Sequence, residues 1–413
     1  MSREPLNLLY ISLFPPGPPR YGAKRRLQGL MASLSRRHEV TAVSFITPDL
    51  DKGEAERAMR EYCRDVVLIP STPDQGLAKR ARQLRSIFST RSHERRFYDV
   101  APLRLALDRL LSRQRYDIVN LHGPYLAHLQ LRRSPPGEPV PRLVVDEHNI
   151  EFDLLRQMAG TEHGFSRRLY NSVNWPKVRR EELSAWRRSD GVTFTSATDE
   201  ARARALVHSL RSAVVPNSVD VKFFSPRATD PPPDGRTVMF FGAINYFPNI
   251  DGVSFFAREV WPLLAASHPR ARLQIVGQYP TPEILALRGP RVEVAGAVDD
   301  LRHLSRAAVV IVPLRMGGGT RFKILEAMAM AKPVVSTAVG AEGIEVAPGR
   351  NILLADSPAD FAGAVGRVLD DAGLAARMGR EGRELVEGRY SWEAAVARLA
   401  AFYGELMSGE RRS

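Results

Sequence analysis

Residues 312–329 read VPLRMGGGTRFKILEAMA. The apolar start predicts a buried strand that ends at Pro313, and the periodic apolar residues after Thr320 predict a helix. Between them, three glycines would let the backbone approach a ligand closely. A helix N-terminus presents free N–H groups and partial positive charge to an anion. The stretch therefore predicts a strand–loop–helix unit that can hold an anion, and the alternative is a glycine turn before an ordinary surface helix.

The same alternation of short apolar runs and helical periods extends over most of the chain. Strands are predicted at residues 8–14, 40–45, 66–69, 118–121, 143–145, 192–195, 238–241, 273–276, 292–294, 309–312 and 333–336. Helical patterns lie between most of these strands, and two more close the chain near 361–369 and 392–407. This order favours α/β architecture, with parallel sheets that carry helices on both faces.

A break in composition at residues 225–235, which hold four prolines, predicts a linker between two domains. We expect a Rossmann-like domain at 1–220, a linker at 221–236 and a second Rossmann-like domain at 237–390. A helix at 391–413 is expected to pack back towards the first domain. Two doubly wound domains would face each other across a cleft, with ligands beyond the carboxyl ends of the strands.

The composition is that of a globular protein, with 44% apolar and 25% charged residues among 413. The net charge of +13 suits contact with polyanions, or reflects a solvated arginine-rich surface. Cys63 is the only cysteine, so no disulfide can form within the chain. The apolar N-terminal run, residues 6–14, is too short to span a membrane. These features predict a cytoplasmic protein.

The chemistry-bearing residues of the opening stretch are Lys323, in the first helical turn, and Glu326, three residues later on the same face. Together with the helix end they offer an anion cradle, a cation and a carboxylate. The only Asp-x-Asp sequence is Asp49-Leu50-Asp51, which is more typical of a helix cap than of a metal site. Since no histidine or cysteine cluster has zinc-site spacing either, we expect no metal and no other cofactor.

Residues 323–337 read KILEAMAMAKPVVST and resemble the donor-site motif of the family 4 glycosyltransferases, retaining enzymes of the GT-B fold. Further segments match in the same order: 215–220 (VPNSVD), Phe241-Gly242, 275–277 (IVG) and Gly296. The run 242–249 and the Arg321/Lys323 pair are similar to the corresponding residues in one branch of this family. That branch is associated with bacterial exopolysaccharide assembly. The resemblance covers most of the chain and is strongest between residues 215 and 392.

The resemblance implies transfer of a sugar from a nucleotide-sugar donor to a glycan or lipid-linked acceptor, in bacterial surface polysaccharide or glycoconjugate synthesis. It also implies that residues 1–220 form the acceptor domain and residues 237–390 the nucleotide-sugar donor domain. Glu326 would bind the donor ribose, and Lys323 would lie beside the diphosphate. The implied catalytic residues are His122, Lys323 and Arg321. The implied donor-binding residues are Gly22, Gly242, Gly277, Gly317, Gly318, Gly319, Thr320 and Glu326. His148 and Glu147 would orient an acceptor hydroxyl, although they could instead cap a helix, and His122 could be an ordinary histidine at a strand end.

Several positions depart from the family pattern. Gly318 stands where the motif has its first glutamate, and Ala243 and Asn249 stand near its usual arginine and lysine. Lys323, Arg321 and the helix end must then meet the phosphate charge. Ala331 replaces a glycine at the end of the helix, so a strained left-handed conformation is expected there.

The stretch from Leu77 to Arg115 interleaves arginines with apolar residues. Such a stretch can lie on an anionic membrane, or can be a solvated helical face. Because aromatic residues are sparse among these arginines, nucleic acid is not an expected partner. Two other functions remain open from the sequence: a nucleotide-sugar epimerase or hydrolase on the same fold, and a non-catalytic, basic membrane-binding relative.

Overall fold

The computed structural model of the chain describes residues 4–17, 22–71, 76–161, 165–230, 233–296, 301–316 and 320–409. The chain divides into two compact units. Unit 1 holds residues 1–216 and 396–413, and unit 2 holds residues 217–395. The finer domain boundaries given by composition stay predictions. Among the described helices, none combines the length and the apolar character needed to cross a membrane.

Unit 1 contains a seven-stranded parallel sheet in the order β3-β2-β1-β4-β5-β6-β7. Its strands are β1 (Asn7–Ser12), β2 (Glu39–Ile46), β3 (Asp65–Pro70), β4 (Ile118–His122), β5 (Arg142–Glu147), β6 (Gly191–Phe194) and β7 (Ser212–Val214). The central strands are buried along almost their whole length, as expected when helices cover both faces of a parallel sheet.

The helices of unit 1 connect consecutive strands and pack on this sheet. They are α1 (Gly22–Leu34), α2 (Lys52–Arg60), α3 (Gly76–Ile87), α4 (His93–Tyr98), α5 (Ala101–Arg113), α6 (Glu151–Thr161), α7 (Phe165–Arg188) and α8 (Ala197–Leu206). Asp51 caps α2 by accepting a hydrogen bond from the Glu54 N–H at 2.8 Å, which confirms the helix-cap interpretation of this segment. The closing helix α15 (Trp392–Ser408) belongs to unit 1 from Val396 onward.

Unit 2 contains a six-stranded parallel sheet in the order β10-β9-β8-β11-β12-β13. Its strands are β8 (Thr237–Phe241), β9 (Arg272–Val276), β10 (Val292–Gly296), β11 (Val309–Val312), β12 (Val334–Ser336) and β13 (Leu353–Leu354). Its helices are α9 (Phe247–Phe255), α10 (Trp261–Ser267), α11 (Pro282–Leu285), α12 (Phe322–Ala329), α13 (Pro358–Asp370) and α14 (Ala372–Arg389), with a π-helical turn at Phe256–Val260 and a 3₁₀ turn at Leu301–Arg306.

Both sheets have the strand order of the doubly wound Rossmann fold, so the predicted fold class is confirmed. Two local expectations need correction. β1 ends two residues before the predicted limit, where the Ser12 hydroxyl donates to the Phe14 carbonyl at 2.8 Å and so favours a turn. α12 begins at Phe322 rather than near Thr320, because Arg321 has an extended backbone and serves as the N-cap.

The end of α12 has the expected left-handed residue, since Ala331 has a φ of 52°. The Ala331 N–H donates to the Met328 carbonyl and the Lys332 N–H donates to the Ala327 carbonyl, both at 2.9 Å. This pair of bonds is the Schellman arrangement, in which glycine is the usual residue at the left-handed position.

We therefore expect Ala331→Gly to leave stability unchanged or to raise it. The strain of the Cβ atom, about 1 kcal/mol, would be relieved, although glycine adds entropy to the unfolded chain. Ala376→Gly in the exposed face of α14 is the control, and it should cost about 1 kcal/mol. Denaturant unfolding compares the two variants. An equal loss in both would contradict strain at Ala331.

Candidate functional site

The connection from β11 to α12 places a helix N-terminus beyond the carboxyl end of a buried strand. β11 is buried along its whole length because Val309–Val312 is entirely apolar. The first N–H groups of a helix have no carbonyl partner within that helix, and together they attract an anion. Three of the predicted donor residues, Gly317, Gly318 and Gly319, lie outside the described residues, so their role stays a prediction.

Lys323 lies in the first turn of α12, and its ammonium has two defined contacts. Nζ donates to Asn249 Oδ1 at 2.8 Å, and it lies 4.1 Å from the centre of the Phe240 ring. An amide oxygen and an aromatic face are both suited to a cation. Burial, together with the nearby charge of Arg321, lowers the pKa of Lys323 to about 7, and Glu326 opposes this shift. An anion beside Nζ would restore the ammonium.

Asn249 is held in one orientation by its two hydrogen bonds. Its Nδ2 donates to the Ala243 carbonyl at 2.8 Å, which leaves Oδ1 directed at Lys323. Asn249 stands near a position at which the family pattern has a basic side chain. Here it accepts a hydrogen bond from Lys323 instead of supplying a positive charge. Sequence reasoning noted the missing charge at Asn249 but missed this contact, since the two residues lie 74 positions apart.

Gly242 and Gly277 follow the carboxyl ends of β8 and β9. Gly242 has a φ of 152°, and a Cβ atom there would lie 2.9 Å from Lys323 Nζ. A Cβ atom on Gly277 would lie only 2.0 Å from the Gly242 carbonyl oxygen. Glycine is thus required at both positions, because the two strand ends and the lysine approach one another closely. The structure places both predicted donor residues in one corner of unit 2 with Lys323.

Three other predicted residues lie on or beside α12. Arg321 is its N-cap, and Glu326 is buried one turn after Lys323. The Thr320 carbonyl accepts a hydrogen bond from Asn217 Nδ2 at 3.2 Å, which fixes the approach to the helix. The charges of Arg321 and Glu326 both act on the pKa of Lys323, so the three side chains form one electrostatic group.

A second group of polar side chains lies in unit 1, at the carboxyl ends of β4 and β5. These strands are parallel neighbours in which His122 pairs with Asp146. His148 Nε2 lies 2.5 and 2.6 Å from the two ring nitrogens of His122. Burial lowers the pKa of His122 to about 4 and that of His148 well below its usual value. Both imidazoles are therefore neutral at pH 7, and each can donate one hydrogen bond and accept another.

Arg26 and Asp146 form a fully buried ion pair behind these histidines. Arg26 Nε and NH2 donate to the two carboxylate oxygens of Asp146 at 3.2 and 2.7 Å. The Thr193 hydroxyl also donates to Asp146, and Arg26 NH1 donates to the Val215 carbonyl. Although burial raises the pKa of Asp146, Arg26 holds it well below its usual range. Arg26 and its pairing with Asp146 were not predicted from the sequence.

His122, Asp146 and His148 have ligand atoms within 4.8 Å of one another, a spacing that a metal ion could bridge. Two observations oppose a divalent cation at this point. Both oxygens of Asp146 already accept hydrogen bonds, and the buried guanidinium of Arg26 would repel a second positive charge. The cluster is better suited to bind hydroxyl groups through its neutral imidazoles.

Glu147 lies on the other face of β5, because successive side chains of a strand point to opposite faces. It is 1% exposed, and its Oε1 accepts a hydrogen bond from Trp186 Nε1 at 2.8 Å. Burial raises its pKa well above the usual value, with Glu151 as a further cause. These surroundings argue against the predicted contact of Glu147 with an acceptor. Gly22, another predicted donor residue, begins α1, and its role stays a prediction.

Two family models match the chain in succession. The one described as "Glycosyltransferase Family 4" matches residues 21–223, and the one described as "Glycosyl transferases group 1" matches residues 235–371. Among curated proteins, the D-inositol 3-phosphate glycosyltransferase of Acidothermus cellulolyticus is 31% identical over 225 residues, which are 49% of this chain and 50% of that protein. The matched part therefore spans about half the length of this relative.

Solved structures resemble the chain over nearly its whole length. Sucrose-phosphate synthase from Thermosynechococcus elongatus has a TM-score of 0.71 at 20% identity, with 99% of this chain and 100% of that chain covered. Anabaena HepE in complex with UDP-glucose has a TM-score of 0.64 at 15% identity, with 97% and 100% covered. At these identities the likeness establishes a shared fold, which this chain builds from two Rossmann-like units.

Proposed function

This chain belongs to the family 4-like glycosyltransferases of the GT-B fold, and on that premise we propose that it transfers a sugar from a nucleotide-sugar donor to a glycan or lipid-linked acceptor. The supporting observation is the group formed by Lys323, Asn249, Gly242 and the N-terminus of α12 in unit 2. There, a cation and a helix N-terminus lie beside two glycines that let the backbone approach a ligand closely. These features suit the binding of a diphosphate.

The proposed mechanism follows from where charge develops during transfer. Glycosyl transfer passes through an oxocarbenium-like state while the nucleoside diphosphate leaves with growing negative charge. Lys323 and the N–H groups of α12 would stabilise that charge, because they are already oriented before the reaction. Glu326 would hold the ribose. His122, as a neutral imidazole, would bind a hydroxyl of the transferred sugar. By family resemblance the configuration of the sugar would be retained.

Product analysis tests this proposal and separates it from its alternatives. The purified chain would be screened against nucleotide sugars by thermal shift, since a ligand that binds only the folded state raises the melting temperature. UDP-sugars are tested first, because Anabaena HepE forms a complex with UDP-glucose. The donor so found would then be incubated with and without candidate acceptors. Without acceptor, release of free sugar would indicate a hydrolase, and formation of an epimerised donor would indicate an epimerase. Absence of donor binding would indicate a non-catalytic relative.

We propose that transfer needs no divalent metal, because Lys323, Arg321 and the helix end supply positive charge at the diphosphate. Donor binding and turnover should then be unchanged in excess chelator, as measured by titration and by product formation with and without added magnesium. A loss of turnover in chelator that magnesium restores would contradict metal independence.

A peripheral position on the inner face of the cytoplasmic membrane would suit a lipid-linked acceptor in surface polysaccharide or glycoconjugate synthesis. Within the basic stretch, Leu84 and Phe88 are 63% and 89% exposed, with Arg85 between them in sequence and Arg91 close behind. Exposed apolar side chains beside arginines are typical of segments that lie on anionic lipid.

The chain is therefore expected to sediment with anionic vesicles, and less so as salt screens the charges. Leu84→Ser/Phe88→Ser should weaken sedimentation at low salt, because two inserted apolar groups are lost. Leu263→Ser in unit 2, which also removes an exposed leucine, is the control. Equal sedimentation with neutral and anionic vesicles at low salt would rule out this contact.

A further inference from the structure

Unit 2 contains a recess at the opposite end of its strands from Lys323. This cavity of about 920 Å³ is lined by the first residues of β8 and β9, by β10 and by Arg306. Thr237 and Arg272 begin their strands, whereas Gly242 and Gly277 follow the other ends. Strands of five residues rise about 3.3 Å per residue, so the two ends lie about 16 Å apart. The cavity is therefore separate from the Lys323 group.

The charges that line this cavity are mainly positive. Its arginines are Arg272, Arg288, Arg291 and Arg306, and its acidic residues are Asp234 and Glu293. Both acidic side chains already accept hydrogen bonds from the protein. Glu293 Oε2 accepts from Gln274 Nε2 at 3.1 Å, and Asp234 Oδ1 accepts from two backbone N–H groups at 2.8 and 3.0 Å. The cavity thus has four guanidinium groups and two carboxylates, and both carboxylates already accept hydrogen bonds from the protein.

Two of the four arginines are fixed by the fold. Arg291 donates to the carbonyls of Ala265 and Pro269, and its guanidinium lies 5.9 Å from the Trp261 ring centre. Arg288 NH2 donates to the Val294 carbonyl at 3.2 Å. These contacts use carbonyl oxygens and an aromatic face, so they hold the side chains in place without neutralising them.

The other two arginines, Arg272 and Arg306, are exposed, and neither forms an ion pair with any acidic residue in the described ranges. Each guanidinium offers parallel N–H donors that match the oxygens of a phosphate group. The volume lies within the range of pockets that take small molecules, about 300–1,000 Å³. The phosphate group of a solute would bind these two arginines and supply the negative charge that no described carboxylate supplies here.

We propose that this cavity is an anion site of its own, which binds a ligand that carries a phosphate or diphosphate group between Arg272 and Arg306. The site would be additional to the donor site. It does not depend on sugar transfer, because none of its lining residues belongs to the Lys323 group.

Inorganic pyrophosphate is the probe, and calorimetric titration at constant ionic strength is the measurement. The Lys323→Ala chain is used as well as the wild type, so that binding in the donor site is weakened in one arm. Arg272→Ala/Arg306→Ala should weaken the remaining binding at least about tenfold, because two charge-assisted contacts are lost. Arg377→Ala/Arg380→Ala removes the same charge from an exposed face of α14 and should leave binding unchanged.

Vesicles with phosphatidic acid distinguish a lipid-borne phosphate from a free one. Selective loss of pyrophosphate binding in Arg272→Ala/Arg306→Ala supports a soluble ligand, and selective loss of vesicle sedimentation supports a lipid headgroup. The proposal is overturned if this variant and the Arg377→Ala/Arg380→Ala control behave alike in both assays. Neither assay needs turnover, so the result stands whether or not the chain proves to be a sugar transferase.

Discussion

Lys323→Ala should lower turnover by about 100- to 1,000-fold, the usual effect of removing one oriented donor from a developing anion. The expected loss lies at the upper end of this range, because Asn249 and Ala243 supply no second cation here. The fold should survive, since the truncation removes one hydrogen bond to a side-chain amide and one contact of Nζ with an aromatic face. Steady-state kinetics with the donor found by screening measures the effect.

Two companion variants sharpen this prediction. Arg321→Ala should reduce turnover less than Lys323→Ala, because Arg321 lies before the first helical turn. Glu326→Ala should chiefly raise KM, since ribose contacts exist in the ground state and the transition state alike. Arg377→Ala, an exposed change elsewhere in unit 2, is the control. Near-normal turnover of a folded Lys323→Ala chain would place the donor site elsewhere.

The charge state of Lys323 adds a pH signature. Its pKa of about 7 means that the free protein carries the ammonium below pH 7 and loses it as pH rises. A bound diphosphate favours the charged form, so the affinity for nucleoside diphosphate should fall as pH rises above 7. This fall should be absent in Lys323→Ala. Titrations at several pH values on both chains test the difference, and equal slopes would contradict it.

Asp146→Ala is expected to destabilise the protein by about 3–5 kcal/mol, the usual cost of removing one partner from a buried ion pair. The side chain of Arg26 is 0% exposed, so its guanidinium would remain buried without the Asp146 carboxylate, although NH1 would still donate to the Val215 carbonyl. Arg26→Met/Asp146→Leu should recover much of the loss, because no charge is then left buried. Chemical denaturation measures all three chains.

Glu39→Ala, which breaks an exposed ion pair with Arg64, is the matched control and should change stability little. The stabilising effect of the Asp146 pair has a defined pH range. Because Arg26 lowers the pKa of Asp146, the ion pair stabilises the folded state fully above the usual carboxyl pKa. This stabilisation is lost as the pH falls below that value. Unfolding of Asp146→Ala at the same denaturant concentration as Glu39→Ala would show that the pair does not stabilise unit 1.

Local patterns in the sequence were sufficient for the fold class and for eleven of the thirteen described strands, but the short edge strands β7 and β13 were not predicted. Apolar runs such as Val309–Val312 and the glycines and prolines between them mark strands and turns, and the family motif identified Lys323 and Glu326. Contacts between distant side chains could not be predicted in this way. Lys323 and Asn249 lie 74 positions apart, and Arg26 and Asp146 lie 120 apart, so only the folded sheets bring them together.

The assignment of Glu147 shows a different limit. Its neighbour Asp146 shares the His148 side of β5, and strict alternation along a strand puts Glu147 on the opposite face. That alternation is a signal in the sequence, but the family resemblance gave Glu147 and His148 one shared role at the acceptor. The buried Trp186 contact of Glu147 then follows from the packing of α7 on that face.

The central claim is that the Lys323 group binds the nucleoside diphosphate of a sugar donor. Calorimetric titration of a panel of nucleoside diphosphates against the wild type, Lys323→Ala and Arg377→Ala tests it most directly. We expect at least one nucleotide to bind the wild type and Arg377→Ala equally, and to bind Lys323→Ala at least about tenfold more weakly. Absence of binding to the wild type, or equal affinity for all three chains, would contradict the claim.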